Sequence, residues 1–285
     1  MRTATQAHPL ASSPTTTVSG LLPVTREISA DLETPISAYL KLATGRYGFL
    51  LESAGDGQHQ AHYSIIGPEP YMALRIKGDR AERHWLSGER SGQVDCEPCV
   101  DPVACVRAEL DRRPLSPSGD APHYGGGAYG YFAYEVAARY EASVPIPDGD
   151  SLGVPDAVFC FVDTLVLFDH PRQRIQLVTY VDMAEAGGDV SRARAAGEAR
   201  LDALERRLAG ASPPTAHAPS APAEPLALSP TPLESREAYQ AAVRRIKRHI
   251  RAGDCYQVVP SRRIARSTSA NPLAVYRALR RVNPS

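Results

Sequence analysis

No apolar run in this chain approaches the length needed to cross a bilayer, so a membrane-spanning helix is not expected. A surplus of either charge is also missing. Lys plus Arg total 32 and Asp plus Glu total 32, which argues against nucleic acid or an anionic membrane as the main partner. Cysteine is sparse and odd in number. Five in 285 residues make no disulfide framework, and ordinary reduced thiols of a cytoplasmic protein are expected. Cys96-Glu97-Pro98-Cys99 is a CxxC with Cys105 close behind, but a zinc site needs four converging ligands. There is no second CxxC, and His84 and His123 lie at irregular spacing, so no metal site is assigned. The first twenty residues are rich in Thr, Ser, Ala and Pro and lack the apolar core of a secretory signal. Residues 1–21 are expected to be a disordered tail.

What is present belongs to a globular protein: 43% of residues are hydrophobic and 22% charged. Thr34-Pro35 opens a helix with proline at its first position, and Ile36, Tyr39, Leu40 and Ala43 form its apolar stripe. Arg46–Ser53 reads as a strand running into the loop 54–57, and Tyr63–Gly67 as a second. Tyr71–Ile76 and Ala81–Trp85 form a hairpin around Gly78-Asp79. Asp101-Pro102 starts a helix through Leu110.

Glycines and tyrosines alternate in His123–Glu135. The segment has neither GxxxxGK[ST] nor a GxGxxG opening a helix, so close backbone packing beside bulky rings is the better reading than a phosphate loop. Asp156–Phe168 and Arg174–Val181 read as one long hairpin, and Val190–Leu208 as a helix with Leu201, Leu204 and Leu208 on one side. Ala211–Pro232 is Pro-, Ala- and Ser-rich without periodicity, as a linker is.

After the linker, Ser235 caps a helix whose stripe is Tyr239, Ala242, Val243, Ile246 and Ile250. Gly253 stands where a left-handed stop is expected. Tyr256–Arg263 then reads as a strand, with Gln257 a lone amide among apolar neighbours. On its own, that amide is a boundary residue bonded to backbone.

The stretch AGDCYQVVPSRR, followed by NPLAVYRALRRVNPS, resembles the start of the chorismate-binding domain of the anthranilate synthase component I family. Four earlier segments resemble the same family in the same order: Asp31–Leu42, Leu50-Leu51-Glu52-Ser53, Tyr63–Gly67 and the GGAYGYFAYE of Gly126–Glu135. The resemblance implies an α+β protein with mixed or antiparallel sheets and flanking helices. Residues 22–182 would be the N-terminal regulatory domain, 183–232 a helix and linker, and 233–285 the beginning of the chorismate-binding domain. It further implies conversion of chorismate to anthranilate with Mg2+, using ammonia from a glutamine amidotransferase, component II, under feedback inhibition by tryptophan. Ser53 would lie in the tryptophan-binding element, and Gln257 on the active-site strand. The plain reading of Ser53 is a hydroxyl capping a loop.

The chain stops inside the NPS motif, before the family's magnesium carboxylates and its chorismate-holding Gly-Thr segment. It is therefore expected to be an N-terminal part of the enzyme subunit, inactive alone. Aminodeoxychorismate synthase component I is the alternative enzyme, and a non-catalytic amino-acid-sensing or amidotransferase-binding module the alternative class. Isochorismate synthase is disfavoured, because its family carries a lysine base where Gln257 stands and an amide cannot take a proton from water.

Overall fold

The structure is a computed structural model that describes residues 20–53, 62–114, 125–145, 153–211, 235–260, 268 and 270–283. The expected tail through residue 19, the 54–57 loop, the linker from residue 212 and Ser261–Arg263 lie outside the described residues. The chain divides into two compact units, the first ending at Pro214 and the second beginning at Thr215.

The first unit is built on two five-stranded antiparallel sheets. One contains β1 (Leu21–Ser29), β2 (Phe49–Glu52), β3 (Tyr63–Gly67), β9 (Thr164–Asp169) and β10 (Arg174–Asp182), in the order β1-β10-β9-β3-β2. The other contains β4 (Met72–Lys77), β5 (Arg80–Trp85), β6 (Val94–Pro98), β7 (Gly127–Phe132) and β8 (Ala157–Val162), in the order β6-β5-β4-β8-β7. A 3-10 helix, Tyr134–Arg139, follows β7. Local chemistry sets many of the element ends. Gly78 takes φ +56° in the β4–β5 turn, a conformation an L side chain resists. The Asp101 carboxylate accepts from the Ala104 N–H at the start of α2 (Pro102–Asp111), and Thr34 caps α1 (Pro35–Leu42).

The buried face of α1 is Pro35, Ala38 and Leu42, offset from the expected stripe of Ile36, Tyr39, Leu40 and Ala43, of which Tyr39 packs against the core partly buried. Eight residues are too few for periodicity to fix which apolar side faces inward. The 19-residue α3 (Val190–Leu208) lays Leu201, Leu204 and Leu208 against Val24, Leu42, Phe168 and Leu177. It thus packs within the first unit.

Asp156–Phe168 is not one strand. It breaks at Asp163, so β8 lies in one sheet and β9 in the other. Both halves are apolar and only Asp163 stands between them, without a glycine or proline, too short a signal to mark the change of sheet. β1 and β6 had no sequence signal strong enough to assign them.

The second unit contains α4 (Arg236–Ala252) and α5 (Pro272–Val282). Ser235 accepts from the Ala238 N–H, and Gly253 closes α4 at φ +83°. The stripe Tyr239, Ala242, Val243 and Ile246 is half-buried, and no residue of either helix is fully buried. The strand expected at Tyr256–Arg263 does not form over its described part: 257–260 are irregular and belong to neither sheet. A strand needs a neighbour to take its N–H and C=O groups, and no described residue pairs with this one.

Candidate functional site

Ser53 follows β2, the edge strand of its sheet. The pairing runs from Phe49 opposite Gly67 to Glu52 opposite Ser64. The Ser53 N–H and hydroxyl both donate to the Tyr63 carbonyl at 3.1 Å. The same hydroxyl accepts from the His62 N–H at 3.1 Å and the Tyr63 N–H at 3.4 Å. One small side chain therefore ties the end of β2 to the start of β3, across the base of segment 54–61. It is exposed, and the long contact from Tyr63 leaves the oxygen an acceptor position that a cation could compete for. Beside it, Ser64 Oγ lies 2.8 Å from His170 Nε2, and the His170 N–H donates to the His62 carbonyl.

The glycine–tyrosine segment meets β2 from the other sheet. Phe49 stacks on Tyr129 with ring centroids 4.8 Å apart, which joins the Leu-Leu-Glu-Ser element to β7. A Cβ at Gly130 would sit 1.9 Å from the Val158 carbonyl, and one at Gly125 would sit 2.7 Å from Tyr180 Oη. These glycines allow backbone to approach backbone and ring, as the sequence pattern implied. Tyr180 is fully buried, and its hydroxyl has no hydrogen-bond partner among the described residues. Burial raises the pKa of both Tyr129 and Tyr180, so each stays a neutral phenol.

A second feature is a cleft of about 700 Å3 within the first unit. The turn before β4, β5 with its following turn, the end of α2 and the inner face of α3 enclose it. Trp85 and Tyr71 give it aromatic walls. Arg90 lies 4.2 Å over the Trp85 ring and Arg113 4.5 Å over the Tyr71 ring. Burial works against the Arg113 charge, but the Tyr71 hydroxyl and the charges of Asp163 and Asp182 outweigh it and hold the pKa up. Sequence inspection missed this cleft, because Tyr71, Trp85, Arg113, Asp163 and Leu204 share no local pattern. The Arg112-Arg113 pair after α2 was the only hint available.

Gln257 lies in the second unit, exposed and outside any strand. The structure does not bring it together with Ser53 in one unit. The thiols are unremarkable as ligands. Cys96 is exposed and Cys99 buried, and burial followed by contact with Cys105 pushes the Cys99 thiol up to about 12. Among the described residues, no three His, Cys, Asp or Glu side chains group closely enough to hold a metal ion; the magnesium carboxylates were expected outside this chain, and no step is derived through the metal. No described helix is long and apolar enough to cross a membrane.

The two antiparallel sheets with flanking helices define an α+β protein of a known architecture. They superpose on the crystal structure of anthranilate synthase component I from Streptococcus pneumoniae TIGR4 with a TM-score of 0.55 at 27% identity, over 90% of this chain and 53% of that one. The chorismate binding enzyme pattern matches residues 49–285, and the chain belongs to that family. Among its relatives are anthranilate synthase component 1 of Thermus thermophilus, 39% identical over 264 residues, and that of Pseudomonas putida, 36% identical over 274. A probable anthranilate synthase component 1 of Schizosaccharomyces pombe is 34% identical over 265 residues. These alignments cover 92%, 93% and 93% of this chain but 52%, 52% and 49% of the relatives, so the chain spans about half their length.

Proposed function

We propose that this chain is the N-terminal half of an anthranilate synthase component I, the subunit that turns chorismate into anthranilate in tryptophan biosynthesis. The observation that carries this is the alignment of 93% of the chain with the P. putida enzyme at 36% identity. In the proposed protein a second component, a glutamine amidotransferase, supplies ammonia, Mg2+ would be the cofactor, and tryptophan acts as feedback inhibitor. The name component 1 on the relatives supports a second component.

The first unit takes the regulatory role in this reading. Tryptophan carries an ammonium and an indole, and needs oxygen acceptors at one end and apolar walls at the other. Ser53 offers the oxygen, and the Phe49–Tyr129 stack, whose Phe49 lies on the same strand as the Leu-Leu-Glu-Ser element, offers apolar surface. Gln257 follows the Gly253 stop of α4 on the segment proposed to reach the active site. Chorismate is a dicarboxylate, so its turnover needs positive charge or metal on the carboxylates and an acid to assist loss of the hydroxyl.

The test is an assay of a protein that carries this chain at the length of its relatives. With chorismate, Mg2+ and an ammonium salt it should release anthranilate, read by its fluorescence, and tryptophan should suppress that release. The 285-residue chain alone should release none. Formation of aminodeoxychorismate in place of anthranilate would overturn the assignment.

A further inference from the structure

The cleft between the sheet turns and α3 shares no lining residue with the Ser53 edge, and the proposed chemistry makes no use of it. Its volume, about 700 Å3, is in the ordinary range of small-molecule sites. What singles it out is the state of Arg113. The side chain is only 21% exposed, and its closest carboxylate contact, Asp182, is at 3.7 Å, beyond hydrogen-bond reach. Neighbouring guanidinium groups are differently placed. Arg207 is held by Glu69 at 2.8 Å and by the Leu42 carbonyl. Arg90 is held by Asp95 and Gln93. Arg113 thus presents a half-buried fork of donors, pre-oriented on the Tyr71 ring, without a hydrogen-bonded anion.

The surroundings select among anions. Glu69, Glu89, Glu109, Asp163 and Glu185 also line the cleft and offset Arg90, Arg112, Arg200 and Arg207, so a doubly charged ligand such as phosphate or a dicarboxylate would exceed the single charge that Arg113 offers. Glu109 is already turned to Arg83 at 2.6 Å, and Asp163 acts on Arg113 through its charge without a hydrogen bond to it. The apolar part of the lining is Trp85, which carries Arg90 over its ring, together with the buried Met72 and Leu204. We propose that this cleft binds a small monocarboxylate bearing an apolar ring, with the carboxylate forked on Arg113 and the ring lying against Trp85 and Leu204.

Trp85 is the only tryptophan in the chain, so indole emission reports the cleft directly. The 285-residue chain is titrated with benzoate and with cyclohexanecarboxylate, and inorganic phosphate is the comparison. A saturable change in emission with the ring carboxylates, absent with phosphate, is expected. Arg113→Gln should weaken binding about tenfold or more, the usual loss for a hydrogen bond to a charged group, and Arg113→Lys should weaken it less. Ala203→Phe, which fills the cleft from α3, should abolish it. If circular dichroism shows that Arg113→Gln does not fold, Ala203→Phe decides. No saturable change with either carboxylate overturns the proposal. So does an equal response to phosphate, or wild-type binding by the folded variants.

Discussion

At Ser53, one hydroxyl makes three contacts with the backbone of His62 and Tyr63. The capping role and the proposed ligand role therefore act through the same oxygen, and a substitution can separate them. In a protein of the relatives' length, Ser53→Leu removes an acceptor from a ligand ammonium, a bond of about 1.5–3 kcal/mol. It also puts bulk at the end of β2. Tryptophan sensitivity should fall by about tenfold or more, while ammonia-dependent anthranilate formation changes little. The check is inhibition by tryptophan at fixed chorismate, mutant against wild type. Retained sensitivity would show the regulatory assignment to be wrong. Joint loss of sensitivity and basal activity would leave Ser53 as a cap alone.

Among the elements, α3 shows how one helix face can serve two purposes. Glu198, Asp202 and Glu205 recur at four- and three-residue steps, and all three reach Arg26 of β1, at 2.6, 2.7 and 2.8 Å. These three contacts raise the Arg26 pKa further, so the guanidinium is charged at any working pH. Gly197 lets the helix come down on the strand: a Cβ there would meet Val24 Cγ2 at 2.5 Å and Cβ at 2.8 Å. Two effects oppose each other in Gly197→Ala. Helix propensity favours alanine by about 1 kcal/mol. Overpacking against a buried strand costs about 1–3 kcal/mol. The steric cost should win, because Val24 is itself only 2% exposed and has nowhere to move. A lower urea midpoint for Gly197→Ala is expected, and a higher one would show that α3 can slide without loss.

For the whole molecule, the uneven burial of the two units sets the expectation. The first unit has buried clusters on both sheets, such as Ile66, Val166, Phe168 and Leu177 on one and Met72, Leu74, Ile76 and Phe161 on the other. In the second, neither α4 nor α5 buries a residue fully. Stability scales with apolar area removed from water, so the second unit should open first. Limited proteolysis is expected to cut between the units and leave an N-terminal core that ends near residue 211. Hydrogen exchange should be slowest in β9 and β10. A resistant fragment retaining Tyr239 and Tyr276 would contradict this.

Much of this chain is written in short-range chemistry. Pro102 after Asp101, Ser235 before α4, Gly253 after it and Gly78 in the hairpin turn each act through neighbours a few residues away, so the sequence alone determined those boundaries. The order of family-like segments was legible for the same reason, since motifs are local strings. The switch of sheet at Asp163 was not legible, because the apolar stretches on either side of it satisfy either sheet and only the competing partners β4 and β10 decide which strand each joins. The strand expected after Gly253 failed in the opposite way: its residues favour a strand, but a ladder needs a second strand, and propensity cannot supply one. Of the candidate sites, Ser53 was found by its motif. The Arg113 cleft draws on segments from Pro68 to Arg207, and only tertiary packing could bring their charges and rings to face one another.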